Sequence, residues 1–555
     1  MNDGSTIALD RPAARLVRPD ELTRAALGIG AVAAALALVG FLAILATGHL
    51  DEDAYILFTY SSNLAAGHGI VWDWAHGHAE GATDFLWMVL LAGLDRVGMD
   101  IGTAAGLLNA AGLAMSYFAI SRIARLRDAW QHGLLAAALL VSHLTAGALG
   151  GFSVDFYCGV FAIACHLAVR RSYPALALAL VTLGLVRPDG VILAVGVLGA
   201  AAVRDWEGVR RSGWYFLAAG ALAAAYFLWR WWYFGLFLPL PLMVKGHTLS
   251  ILLGLHWNVL PLIPLAGVLA LTLWQRREVG SHALIIAAGP ILLFGALTFA
   301  NQLQDLSFRF QAPMTLAVLA LGFCAGRNRT GWLALALLPS LAFGARAIDR
   351  EVQHLVQPDY VNYLPQMLDP LLGKDGRVAV TEAGRFGFRL EADKLDIVGL
   401  NSKTIAAGGD RVQALLAFKP DLVFLHQVWT LDTSSLDASR SWIQLSRGEY
   451  LSLPVLDTPG SPYHMDPTHL AAMAARQFIA TTSTPYHIYA VRYRGEFSHF
   501  YFLRADGRLA QGAFEAALAR SFQPGSIRPH CAYSDGFPCR WLSPQRHRVT
   551  EISRR

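Results

Sequence analysis

Long apolar runs follow one another from Ala25 to Ala345 with short polar breaks between them. From Asp349 onward the pattern changes to runs of three or four residues bounded by turn formers. A helix needs about 20 apolar residues to cross the hydrocarbon of a bilayer. Runs near that length lie at 25–47, 101–120, 132–149, 152–169, 213–232, 249–273, 282–300, 310–326 and 332–345. Two shorter ones, 173–186 and 191–203, hinge at Arg187-Pro188-Asp189-Gly190, where proline and glycine interrupt a continuous helix. The pattern predicts about eleven crossings. The piece from Phe85 to Leu94 is too short to cross and ends in Asp95-Arg96, which predicts an interfacial or re-entrant helix in the first outer loop.

Charge orders these runs. Arg11, Arg15, Arg18 and Arg24 precede the first run, and basic turns recur after alternate runs: Arg122, Arg125 and Arg127, then Arg170-Arg171, then Arg204, Arg210 and Arg211, then Arg276-Arg277, then Arg327 and Arg329. The positive-inside rule puts the leader and all these turns on the cytoplasmic side. The first run has the length of an anchor rather than of a cleaved signal. An odd number of crossings then leaves the C-terminal part outside. The division is a leader over 1–24, a membrane domain over 25–346 and an extracytoplasmic α/β domain over 347–555. In that last part Val378-Ala379-Val380, Asp396-Ile397-Val398, Leu422 to Leu425 and Ile488 to Val491 read as strands, with helices over 411–418 and 470–480.

Composition agrees with a mostly α-helical membrane protein: 55% of the 555 residues are hydrophobic and 15% charged. The formal net charge of +5 comes from arginines beside apolar runs, which excludes a nucleic-acid face. Of five cysteines, Cys158, Cys165 and Cys324 lie in apolar runs as small buried hydrophobes. Cys531 and Cys539 flank Ala-Tyr-Ser-Asp-Gly-Phe-Pro, a spacing that allows a disulfide in an oxidising compartment. His530 beside them, and His68, His76 and His78 in a Gly-rich loop, lack a clean ligand spacing, so no metal site is predicted.

The chemistry concentrates just after the first run, in Asp51-Glu52-Asp53-Ala54-Tyr55. Three adjacent carboxylates beside a bilayer repel one another, which raises at least one of them unless a cation compensates, and that suits a general base. Cations on the same predicted side are Arg187, Arg230, Lys245 and Arg309, against the topological bias. Arg309 stands in Phe308-Arg309-Phe310, where a guanidinium among aromatics demands a partner, either a phosphate or Asp305. Arg187 has Asp189 as an alternative partner. Trp72, Trp74, Trp87, Trp229, Trp231 and Trp232 fall near predicted outer boundaries, as an interfacial aromatic belt does.

Glu52-Asp53-Ala54-Tyr55, Asn63-Leu64-Ala65, Gly67-His68-Gly69 and Glu80-Gly81 with Phe85-Leu86-Trp87 together resemble the first outer loop of GT-C polytopic glycosyltransferases. They resemble the branch that holds the mycobacterial terminal arabinofuranosyltransferase, with its decaprenyl-phosphate-arabinose donor. Arg187-Pro188-Asp189-Gly190, the segment from Tyr233 to Lys245, and Glu382-Ala383-Gly384 with Asp396 to Asn401 extend the resemblance. It implies a cell-envelope enzyme of the plasma membrane, its N-terminus cytoplasmic, that moves arabinofuranose or another sugar from a polyprenyl phosphate to a glycan or glycolipid acceptor with inversion. Asp53, Glu52 or Asp51 is implied as the base, and Arg309, Arg187 and Lys245 as the donor-phosphate ligands. Tyr55, His68, Glu80, Asp84, Trp87 and Asp189 are implied as substrate contacts. No cofactor is required, and a divalent metal is compatible with the class without being predicted. Two other readings fit the same residues: a lipid-linked-sugar flippase or transporter, and an inactive glycan-binding member of this scaffold.

Overall fold

The computed structural model describes residues 19–245, 267, 270, 277–298, 306–325, 330–357, 359–388, 390–427, 430–456 and 466–523. The first part is helical: α1 (Pro19–Thr47), α2 (Glu52–Ala65), α3 (Phe85–Arg96), α4 (Ile101–Ala124), α5 (Ala129–Leu140), α6 (His143–Leu149), α7 (Val154–Val169), α8 (Tyr173–Val186), α9 (Gly190–Arg204), α10 (Trp206–Arg211) and α11 (Gly213–Phe234). Later helices cover Arg277–Thr298, Ala312–Ala325 and Thr330–Leu355, the last running on past residue 346. The apolar runs thus become helices with nearly the expected bounds. The run at 249–273 lies outside the described residues, apart from isolated positions.

Length is where the observation departs from the count of eleven. Among the described residues, three helices are long and apolar enough to cross a bilayer: Arg24–Thr47, Ile101–Ala124 and Phe308–Ala325. The run at 132–149 splits into α5 and α6, which meet at 48° and can form one broken span. The helices α7, α8, α9 and His282–Thr298 are apolar but shorter. Turns at Gly150-Gly151 and Arg187-Pro188-Asp189 stand where the pattern already breaks its runs, whereas the break at Val141-Ser142 divides a run read as continuous. At its outer surface the bundle exposes Leu27, Val32, Leu36 and Val39 on α1, and Trp214, Leu217, Leu222 and Trp232 on α11. Apolar surface on this scale is covered by lipid in a membrane protein.

Small residues let the inner helices close on one another. A Cβ on Gly112 of α4 would lie 2.2 Å from the Asp155 carbonyl oxygen, so only glycine permits this α4–α7 crossing. One end of the bundle collects the basic turns. Tyr117 hydrogen-bonds the Ala26 carbonyl and His132, Phe118 packs on His166, and Arg171 reaches Asp205 at 3.4 Å. The opposite end carries the acidic loop and the second domain.

That domain is a six-stranded mixed sheet in the order β2-β1-β3-β6-β5-β4, with β1 (Arg377–Val380), β2 (Asp393–Asp396), β3 (Leu422–His426), β4 (Trp442–Leu445), β5 (Tyr486–Tyr493) and β6 (Glu496–Arg504). β1 is parallel to β2 and β3, and the remaining pairs are antiparallel. Alternation along the strands gives two apolar faces. Ala379, Val423, Leu425 and Phe500 pack under the helices Arg411–Phe418 and Pro467–Thr481. Val378, Val380, Phe424 and Tyr501 form the other face, which also receives Tyr60 and Trp72 from the first loop. The loop is therefore part of the second domain's core as well as the bundle's edge.

Candidate functional site

The three consecutive carboxylates part in three directions, because Glu52 opens α2 and a helical start rotates successive side chains by about 100°. Asp51 is buried and takes a contact of 3.1 Å from His354 Nε2 on the last bundle helix. Glu52 points to the second domain, accepting from the amides of Gly384 at 2.6 Å and Arg385 at 2.9 Å, and from Arg385 Nε at 3.3 Å. A Cβ at Gly384 would meet the Glu52 carbonyl oxygen at 1.8 Å, so this approach needs glycine. Asp53 turns toward the bundle and accepts from Arg309 Nη2 at 2.9 Å.

Arg309 sits on the 3-10 turn Leu306–Gln311 that feeds the helix Ala312–Ala325. Its guanidinium lies 4.1 Å from the ring centroid of Phe152 and 5.3 Å from that of Phe310. Arg187, at the end of α8, lies over the same Phe310 ring at 5.2 Å and over Tyr157 at 5.2 Å. Two cations thus share one aromatic wall, an arrangement worth roughly 2 kcal/mol per desolvated contact. Arg187 Nε donates to Asp189 at 3.0 Å, and its Nη1 stands 3.8 Å from Asp84. Asp84 also accepts from Ser153 Oγ at 2.7 Å. Phe308, just before Arg309, holds a φ of 54°, uncommon for an aromatic residue, and such outliers concentrate at functional sites. The structure therefore brings Asp53, Asp84, Asp189, Arg187 and Arg309 together at one end of the bundle.

Other sequence-selected residues lie elsewhere. Tyr55 and Trp87 are fully buried, Tyr55 against Phe58 and Phe388 and Trp87 against Phe156, so neither ring offers a face to a sugar. Glu80 and Arg230 pair with each other at 2.6 Å, and Arg230 also donates to the Phe237 carbonyl. His68 is exposed and packs near Trp74. Lys245 ends a short helix, Leu240–Lys245, but its side chain lies outside the described residues, as do Asp305, Cys531 and Cys539. Cys158, Cys165 and Cys324 are free, the first two buried.

A second polar cluster went unread in the sequence. Arg385 donates to Asp359 at 2.8 Å, to Asn362 at 3.0 Å and to Glu52, making a buried knot between the domains. Glu382 touches His426, whose ring crosses that of His499 at a centroid distance of 4.7 Å. Burial, and then the charge of Glu382, pushes the Glu52 carboxyl up to about 8, against the pull of Arg385 and the two amides. Burial drives His499 down, helped by His426 and Arg385. Around Glu382 burial pushes upward, yet His426 and Arg385 hold the carboxyl below its ordinary value. Glu382-Ala383-Gly384 was legible as a motif. His426 and His499 were not, since only strand pairing brings them together.

No family model matches the chain, and no curated protein matches it. Among solved structures, ArnT from Cupriavidus metallidurans is similar in chain path, in the apo state (15% identity, TM-score 0.49, covering 71% of this chain and 91% of that one) and bound to undecaprenyl phosphate (14% identity, TM-score 0.49, covering 71% and 92%).

Proposed function

We propose that the chain is a membrane glycosyltransferase of the GT-C type, transferring a sugar from a polyprenyl-phosphate donor to a hydroxyl of a glycan or glycolipid on the extracytoplasmic side. The observation that carries this reading is the meeting of Asp53 with Arg309, beside Arg187, at the edge of an apolar bundle. A carboxylate for proton abstraction and two guanidiniums for a leaving phosphate are what such a transfer needs at one place.

In the proposed reaction the donor phosphate takes hydrogen bonds from Arg309 and Arg187, and drawing Arg309 onto the phosphate releases Asp53. Asp53 then takes the proton of the acceptor hydroxyl as its oxygen forms a bond to the anomeric carbon. The bond from that carbon to the phosphate oxygen breaks, its electron pair leaving with the polyprenyl phosphate, and the configuration inverts. Asp84 and Asp189 position Arg187. Asp51 and Glu52, held by His354 and by the amides of 384–385, serve the fold in this reading. Arabinofuranose is the favoured sugar on the resemblance of the first loop.

Purified protein is incubated with polyprenyl-phosphate arabinose, mannose or glucose and a glycan acceptor. Asp53→Asn is expected to lower transfer by roughly 10²- to 10⁴-fold while donor binding persists. Full activity in Asp53→Asn would sink the proposal. Passage of the lipid-linked sugar across vesicles without product would favour a transporter instead.

A further inference from the structure

The second domain holds a constellation that sugar transfer does not use. His426 ends β3, His499 is its direct register partner on β6, and Glu382 follows β1, the strand on the other side of β3. Three neighbouring strands thus bring one carboxylate and two imidazoles to one end of the sheet. Each offers a ligand atom, and these atoms lie within 4.8 Å of one another. Ligands around a tetrahedral zinc, at about 2.0–2.2 Å from the ion, stand roughly 3.3 Å apart, so a small rotation of these side chains closes the site.

Two features favour an ion over mutual hydrogen bonding. First, Glu382 Oε2, His426 Nε2 and His499 Nε2 are all buried without a hydrogen-bond partner among the described residues. His499 is fully buried, and its other nitrogen lies 2.6 Å from the Tyr360 hydroxyl, which in turn meets the Tyr501 hydroxyl at 3.1 Å. His426 Nδ1 faces Glu382. His499 is therefore oriented through Nδ1 with Nε2 left over, as outer-shell partners orient metal-binding histidines, while His426 Nδ1 and the Glu382 carboxylate stand side by side as the other two ligand groups. Second, the carboxylates of Asp359 and Glu382 both act on the guanidinium of Arg385. A cation at Glu382 would offset the excess negative charge.

We propose that Glu382, His426 and His499 bind one divalent transition-metal ion of the zinc type. Two imidazoles and a carboxylate suit that class, whereas calcium and magnesium take oxygen ligands. Three protein ligands leave a position for water. The ion's role here is structural: by fixing Glu382 it fixes Ala383, Gly384 and Arg385, the segment that grips Trp72 and Glu52 of the first loop. This inference does not depend on the glycosyltransferase reading.

The full chain in detergent is stripped with a chelator, loaded with zinc, dialysed and analysed for metal. One zinc per chain is expected in the wild type. Glu382→Gln and His426→Gln should weaken zinc binding by more than the roughly 100-fold that loss of an outer-shell partner can cause, and Tyr360→Phe by roughly 10- to 100-fold. His76→Gln, which alters the separate Asp73, His76 and Asp393 group, should leave it unchanged. Cobalt loading of the wild type gives a second readout that needs no variant: a visible d–d spectrum without thiolate charge transfer. Zinc retained equally in Glu382→Gln and His426→Gln, no zinc in the wild type, zinc lost in His76→Gln, or a thiolate signature would each overturn the proposal.

Discussion

Arg385 and Arg309 are both buried guanidiniums that reach a carboxylate of the first loop, yet their surroundings differ in kind. Arg385 is ringed by oxygens from Glu52, Asp359 and Asn362, so each direction of its planar fork is matched to an acceptor. Arg309 meets Asp53 across a wall of aromatic faces, Phe152 and Phe310, with Arg187 sharing the second of them. Oxygen cages hold a guanidinium in one place. Aromatic walls support its charge while leaving its anion exchangeable, since the rings contribute whichever anion is bound. Asp53 is also a quarter exposed, so water can take over when Arg309 leaves, whereas Asp359 has 3% side-chain exposure and no such recourse.

The largest effect should separate the two by stability. Arg385→Met leaves Asp359 buried and unpaired, and is expected to cost about 3–5 kcal/mol. Arg309→Met leaves a carboxylate that can hydrate but gives up the aromatic contact, and should cost about 2 kcal/mol, less than Arg385→Met. Thermal unfolding of the detergent-solubilised chain, with proteolysis of the second domain, measures both. Equal destabilisation would erase the distinction between a locked and an exchangeable cation.

This contrast explains what the sequence made legible. Hydrophobic periodicity located nearly every described helix of the bundle, because burial in lipid constrains each position of a run independently of its neighbours. It misjudged continuity at Ser142, where tertiary packing sets the bend. The cations Arg187 and Arg309 stood out because arginine on the side predicted to be outer runs against a charge rule. The adjacency of Asp51, Glu52 and Asp53 concealed that they serve three different neighbours, 354, 385 and 309, far apart in sequence. The strands β4 and β6 and the pairing of His426 with His499 were illegible for a related reason: sheet register is a long-range property.

A smaller effect tests the exchange itself. Arg309→Lys keeps the charge but loses the planar fork and its stacking on Phe152, so donor-phosphate affinity should fall by roughly tenfold or more, with stability almost unchanged. Titration with polyprenyl phosphate measures this. The matched change Arg385→Lys should leave phosphate binding intact and lower the unfolding temperature instead. If Arg309→Lys binds phosphate as well as wild type does, Arg309 is a second structural cation rather than a ligand.

The smallest expected effect is a pH dependence that belongs to Glu52 and not to Asp53. Burial and the Glu382 charge raise the Glu52 carboxyl to about 8, while in the unfolded chain it titrates near its ordinary value of about 4.5. Between those values the folded state holds a proton that the unfolded state has released. Stability from this group is therefore fully present below about pH 4.5 and is lost as the pH rises toward 8. Glu52 keeps 20% of its side-chain surface in contact with solvent, so the slope in chelator-treated protein should be shallow. It should stay below the roughly 1.4 kcal/mol per pH unit of one fully linked proton. Unfolding midpoints from pH 5 to pH 8.5 should lose this slope in Glu52→Gln and keep it in Asp53→Asn. A slope that disappears in Asp53→Asn instead would move the buried, proton-holding carboxyl from the domain interface to the cation site, and with it the division of labour between the two arginines.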